Sequence, residues 1–215
     1  MKVINFAETN SIINQYVAEI RDVNVHNDRL RFRRNIERIG EMMAYEMSKT
    51  LNYSVKKIQT PLGIAEASTH DDKLVIATVF RAGLPLHAGF LNVFDKAGNA
   101  FVSAYRFYKD NDHRDLDVKI EYMASPDLTD KTVLLVDPML ATGGSASATI
   151  SRLKEEGVQK IKLLCVVAAP EGINLIEKDH PDVQIYCATV DRTLNETAYI
   201  LPGLGEAGDR VYGTK

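Results

Sequence analysis

The chain has no apolar run approaching the roughly 18 residues needed to cross a bilayer. Its opening, MKVINFAETN, has no apolar signal core behind a basic start. A soluble, cytoplasmic protein is the expectation. Cysteine is scarce. Cys165 and Cys187 stand in apolar, strand-like stretches with no Cys-x-x-Cys spacing and no histidine nearby, so they read as buried core thiols and not as a redox or metal motif. The five histidines form no His-Glu-x-x-His pattern, and a structural zinc site is not expected. An excess of positive charge is also missing. The formal net charge is -3, which weighs against a nucleic-acid backbone or an anionic membrane as the main partner. Any polyanionic substrate must be held by locally clustered arginines.

What is present is an ordinary globular composition, 45% hydrophobic and 26% charged over 215 residues. That is enough for one medium domain with a proper core. No internal repeat, low-complexity stretch or linker divides the chain, so residues 1–215 are expected to form a single domain with an N-terminal helical arm over about 1–52.

Apolar spacing predicts helices over 9–22 and 27–51. In the second, Phe32, Ile36, Ile39, Met43 and Met47 recur at intervals of three and four and mark one apolar face. The other side carries Arg29, Arg33, Arg34 and Arg38 among Glu37, Glu41 and Glu46, which reads as a solvated face or a subunit contact. After residue 55 strands and shorter helices take over. A strand over 73–80 closes on Arg81-Ala82-Gly83, and a helix follows over 86–95. Residues 100–107 and 116–123 alternate around KDNDHRD and predict a two-stranded antiparallel flap over about 100–123. TVLLV, 132–136, is continuously apolar, as a strand covered on both faces must be. Then come a helix over 146–156 ended by Gly157, a strand over 161–169, a helix over 172–179 and a strand over 184–190. This alternation predicts an α/β fold with an open, mostly parallel sheet flanked by helices. Ligands then belong at the carboxyl ends of the strands, in the loops after Phe80, Val136 and Ala169.

The loop after Val136 reads Asp137-Pro138-Met139-Leu140-Ala141-Thr142-Gly143-Gly144-Ser145. Small residues between a buried strand and a helix start let successive backbone N–H groups converge on an anion, and the helix end adds partial positive charge. Thr142 and Ser145 can donate hydroxyl hydrogen bonds to the same phosphate. Asp137 would repel a phosphate, and suits two neighbouring sugar hydroxyls instead. A second glycine-rich stretch, from Tyr199 to Arg210, holds Gly203-x-Gly205-x-x-Gly208. It is not a dinucleotide motif, because no long helix, second strand and distal acidic residue follow it. Its exposed backbone amides and carbonyls can line a small planar ligand. No serine or cysteine nucleophile with a paired base is evident, so no covalent intermediate is expected.

The stretch VDPMLATGGSA, residues 136–146, resembles the 5-phosphoribosyl 1-diphosphate (PRPP) loop of the uracil phosphoribosyltransferases, a branch of the type I phosphoribosyltransferase fold. Most other branches carry two adjacent acidic residues before the loop, where this chain has Val136 and then Asp137. The glycine-rich C-terminal loop, about 195–215, is similar to the same family's uracil loop. AAPEG, 168–172, also resembles the family and is expected to shape the loop beside the site. Arg81 in FRAGLPL and Arg106 in AYRFY match its PRPP-contacting arginines. The resemblance spans most of residues 27–215.

It implies transfer of phosphoribose from PRPP to uracil, giving UMP and pyrophosphate with inversion at the anomeric carbon. Arg81, Arg106 and Asp137 would carry catalysis. PRPP would be held by these three together with residues 138–145 and Glu206, and uracil by Ile200, Gly205, Glu206 and Ala207. The resemblance also implies Mg2+, bound mainly through the diphosphate and water, and a homodimer or higher homo-oligomer. It raises GTP as an effector, as in some relatives. Two positions depart from the family pattern: Glu206 stands where Asp is usual, and Phe107-Tyr108-Lys109 replaces acidic residues in the flap. Backbone recognition suits uracil, whose O2, N3–H and O4 edge alternates acceptor, donor, acceptor. Cytosine would set donors against donors, a mismatch of several kcal/mol. Other readings are a phosphoribosyltransferase for orotate, xanthine or adenine, a regulator on this fold that binds uridine nucleotides or RNA with little catalysis, and an inactive structural relative.

Overall fold

The computed structural model describes residues 3–25, 27–108 and 116–214, with side chains described for all of these except 105–108 and 116–119. A short strand, β1 (Val3–Asn5), and one 3-10 turn lead into α1 (Ile12–Arg21) and α2 (Arg29–Ser48). Both helices start on side-chain caps, with Ser11 accepting from the Ile13 N–H and Asp28 from the Arg31 N–H. The caps set boundaries inside the ranges read from periodicity. A hairpin then follows that the sequence reading left unassigned, β2 (Tyr53–Thr60) and β3 (Gly63–His70). Its strands bury little, and without a buried face hydrophobic alternation has nothing to mark.

The main sheet is built from β4 (Leu74–Val79), β5 (Gly98–Tyr108), β6 (Leu116–Ala124), β7 (Thr132–Val136), a two-residue β8 (Met139–Leu140), β9 (Lys160–Ala168) and β10 (Gln184–Val190). Its order is β1-β10-β9-β7-β4-β5-β6, with β8 beside β9. All these pairings are parallel except β5 with β6. The crossovers are α3 (Leu84–Val93), α4 (Gly144–Glu155) and α5 (Pro170–Asp179). A small hairpin, β11 (Thr193–Leu194) with β12 (Ile200–Leu201), and a last helix, α6 (Ala207–Tyr212), close the fold.

Period-two alternation within the buried strands divides the core between the two sheet faces. Ile76, Leu134, Leu164 and Tyr186 pack with Phe32, Ile36, Met43 and Met47 of α2 on one side. Ala77, Leu135, Cys165 and Cys187 pack with Ile150, Leu153 and Ile176 of α4 and α5 on the other. Both cysteines are buried, opposite each other in register on β9 and β10. The expected antiparallel pair is present, and its first strand also belongs to the parallel sheet. β5 pairs with β4 over 98–102 and with β6 from Phe101 to Tyr108, with an irregularity between Ser103 and Ala104. The turn at 109–115, including Lys109, lies outside the described residues.

Candidate active site

The ends of β4 and β7 meet the C-terminal segment at one hollow of about 640 Å³; the turn after Ala169, expected to line the site, does not reach it and packs behind the loop after β7 instead. The loop after β4 contributes Phe80, Arg81 and Ala82, and the segment after β7 contributes Asp137, residues 139–143 and Ser145. The C-terminal segment supplies Ile200, Gly205, Glu206 and Ala207. Of the residues singled out in the sequence, Pro138 is buried and, like Gly144, does not reach the wall. Arg106 lies on β5, but its side chain is outside the described set.

The loop over residues 137–145 is shaped by backbone packing. Gly143 takes φ +86 and starts α4 with no side chain of its own to cap it; the Gly144 N–H donates to the Thr142 hydroxyl at 3.5 Å. Gly172, in the first turn of α5, lets that helix press directly on the loop. A Cβ at 172 would lie 2.5 Å from the Ala141 carbonyl oxygen. This is how AAPEG shapes the site. The neighbouring Glu171 carboxylate accepts from the Thr193 hydroxyl at 2.6 Å and the Leu194 N–H at 3.0 Å. These two hydrogen bonds lower its pKa and tie the first turn of α5 to the β11–β12 hairpin. Asp137 accepts from the Met139 N–H at 3.3 Å, which turns the chain at the mouth of β7.

The second loop is formed by different means. Asn195 accepts from the Thr197 and Tyr199 N–H groups at 3.0 and 2.8 Å and closes the hairpin turn. Gly203 has φ +57, and a Cβ there would sit 2.2 Å from the Ile200 carbonyl oxygen. Glu206 caps α6 by accepting from the Gly208 N–H at 3.3 Å. The longer side chain at 206 thus folds back onto its own helix.

Several further wall residues belong to the C-terminal loop but were given no individual role in the sequence reading. Thr197, Ala198, Tyr199, Gly208, Asp209 and Thr214 all line the hollow. Tyr212 stands with its ring centre 6.0 Å from the Arg81 guanidinium carbon. Burial pushes the Tyr212 phenol up in pKa, against the pull of Arg33 and Arg81. The α2 arginines divide. Arg34 pairs with Glu37, and Arg38 lies over the Tyr16 ring, as on a solvated face. Arg33 turns inward and donates to the Val211 carbonyl at 2.9 Å.

A family model for uracil phosphoribosyltransferase matches residues 7–214. A uracil phosphoribosyltransferase of Porphyromonas gingivalis is 51% identical over the full length of both chains. Another, from Dictyoglomus thermophilum, is 42% identical over 95% of this chain and 96% of its own. Among solved structures, a protein of Aquifex aeolicus superposes with a TM-score of 0.89 at 29% identity, covering 100% of this chain and 99% of that one. A hypoxanthine phosphoribosyltransferase of Staphylococcus aureus, at 12% identity and a TM-score of 0.53 over 86% of this chain and 84% of its own, shares the fold alone. The glycine-built anion loop, the C-terminal loop facing it and the match along nearly the whole chain agree: this chain belongs to the uracil phosphoribosyltransferase family.

Proposed function

We propose that the protein transfers the 5-phosphoribosyl group of PRPP to N1 of uracil, forming UMP and pyrophosphate. The observation that carries this reading is that a glycine-started helix and a backbone-lined C-terminal loop open onto the same hollow. The 5′-phosphate sits among the N–H groups of residues 141–145 with the Thr142 and Ser145 hydroxyls. Asp137 accepts from the ribose hydroxyls, and Arg81 and Arg106 bind the departing diphosphate. Their guanidinium groups stabilise its negative charge more as the anomeric C1–O bond breaks. Uracil lies against Ile200 and Ala207, with its polar edge read by the backbone around Gly205 and Glu206.

The C1–N1 bond forms on the face opposite the leaving diphosphate, which inverts the anomeric carbon, and the N1 proton leaves with no covalent enzyme intermediate. Holding base and sugar in line supplies much of the rate. Among the described residues no three His, Cys, Asp or Glu side chains converge as a metal cage, and the carboxylates on the wall are Asp137, Glu206 and Asp209. That donor set fits a hard divalent cation such as Mg2+, which Asp137 and Glu206 would help to hold beside the substrate. When bound, the ion neutralises charge on the diphosphate.

We further infer that the chain acts as one catalytic domain and as a homo-oligomer in the cytoplasm. The apolar faces of α1 and α2 are spent on the core, but Val55, Leu62 and Ile64 of the β2–β3 hairpin are 68, 100 and 70% exposed. That is surface for a second copy to cover. Against the RNA-binding alternative, three arginines of the α2 run, Arg33, Arg34 and Arg38, make contacts within the chain. Incubation with PRPP and Mg2+ tests the assignment through pyrophosphate release with uracil, cytosine, orotate and hypoxanthine offered separately. Release with uracil alone is expected. Release with orotate or hypoxanthine, or with none of the four, overturns it.

A further inference from the structure

The β11–β12 hairpin leaves the sheet at Asp191 and returns at Gly203, and its two feet are fastened to each other. Asp191 Oδ2 accepts from the Gly203 N–H at 2.8 Å. Beneath them Arg21, the last residue of α1 and 170 positions away in sequence, grips the same carboxylate with both arms. Its Nη1 donates to Oδ2 at 3.0 Å and its Nη2 to Oδ1 at 2.6 Å. Nη1 also approaches the Gly203 carbonyl at 3.5 Å. The Asp191 side chain is 5% exposed and that of Arg21 is 20% exposed. The far end of the loop has its own fastening, at the carbonyl of Val211, where Arg33 donates at 2.9 Å. Between these points run Leu204, Gly205, Glu206 and Ala207.

We propose that Arg21 with Asp191 at one end, and Arg33 at the other, are positioning residues that hold the base-recognition loop in register with the phosphate loop. The inference rests on the reading of residues 200–207 as the uracil site. Recognition through backbone groups gives the chain no side chain to adjust. The loop's main-chain N–H and C=O groups must already stand at hydrogen-bond positions, and a supporting shell must keep them within about 0.5 Å. A glycine-rich segment has little stiffness of its own. The two-pronged ion pair has the required rigidity, because a guanidinium fork meets a carboxylate in one plane and is little exposed to water. The N-terminal arm therefore serves base selection, although none of its described residues lines the hollow.

Steady-state kinetics of Arg21→Met, Asp191→Asn, Arg33→Met and the conservative Arg21→Lys, each with its thermal midpoint, test the assignment. In Arg21→Met and Asp191→Asn the KM for uracil rises about tenfold or more while the KM for PRPP stays within about twofold, because only one of the two loops moves. Arg21→Lys restores part of the loss, and Arg33→Met shows a smaller shift in the same direction. The double variant Arg21→Met with Asp191→Asn costs no more than the worse single one, as expected for groups acting as a unit. Parallel changes in both KM values, or an unchanged uracil KM in a folded Arg21→Met or Arg21→Lys protein, overturns the inference. Ile200→Ala, inside the loop, separates this from failure of the site reading. If it leaves the uracil KM unchanged, the loop is not the base site. If it raises that KM while the Arg21 and Asp191 variants do not, the positioning role alone falls.

Discussion

The two halves of the candidate site hold their shape by opposite means. The anion loop, residues 137–145, is continuous with β7 and α4, and its form follows from local backbone rules and from α5 pressed against it through Gly172. The C-terminal loop has almost no secondary structure between β12 and α6. It is held by Asp191, Arg21 and Arg33, side chains brought from distant parts of the chain. A phosphate needs only a converging set of N–H groups, which one strand-to-helix turn supplies. A planar base needs donors and acceptors at fixed spacing, and that precision comes from tertiary support.

The sharpest way to break this contrast is to add one methyl group to each half. Gly203→Ala forces a side chain to φ +57 against the Ile200 carbonyl, and a loss of about 3 kcal/mol or more in uracil kcat/KM or in stability is expected. Gly172→Ala pushes on the Ala141 carbonyl instead. Its effect is expected on the KM for PRPP, by about tenfold, with uracil affinity little changed. If both substitutions act on the same substrate, the two loops are not separate subsites.

Arg81→Ala comes next, and lowers turnover at least tenfold with the fold intact, since charge-assisted hydrogen bonds are worth about 1.5–3 kcal/mol. Near-normal turnover would remove Arg81 from the site. Ser145→Ala, which deletes one neutral donor, weakens PRPP by about 1 kcal/mol, measurable as a several-fold rise in its KM. Glu206→Asp has the smallest kinetic effect. Asp is the better helix cap, so activity is retained or modestly improved, and a large loss would show that the longer side chain has been accommodated by its surroundings.

Outside the site, the α1–α2 contact offers a comparison in stability. Hydrogen bonds from Arg31, then from Asn35 and Gln15, lower the pKa of Glu19 from 4.5 to about 2. A depressed carboxylate stabilises the fold above its unfolded pKa and loses that contribution as pH falls through the folded one. The stabilisation is therefore full above about pH 4.5 and declines toward pH 2. Glu19→Gln lowers the thermal midpoint at pH 7 and flattens the drop between pH 4.5 and 2. An unchanged acid limb would remove Glu19 from that role.

Much of the framework was legible before any coordinates. TVLLV is β7 to the residue, because a strand covered on both faces must be apolar, and Gln184–Val190 is β10 with a buried centre, Ile185 to Ala188. The small residues of 137–145 and the glycines of 203–208 announced backbone-lined loops, since only small residues let main chain approach a ligand closely. The exposed β2–β3 hairpin was missed because nothing buried marks its strands. β5 was read as flap alone because its sheet half and its hairpin half share one alternation. The arginine run on α2 looked uniform along the helix, and only packing showed that Arg33 faces inward.

The sequence by itself determined most of the elements, the parallel sheet and the small-residue turn between β7 and α4, since these depend on hydrophobic period and on residues adjacent in the chain. Tertiary structure alone decided that Arg21, Asp191 and Gly203 meet, that Glu171 bridges to the hairpin, and that Tyr212 stands over Arg81. Those contacts join residues from 12 to 182 positions apart, and no periodicity or local propensity reports which distant side chains a folded core will bring together.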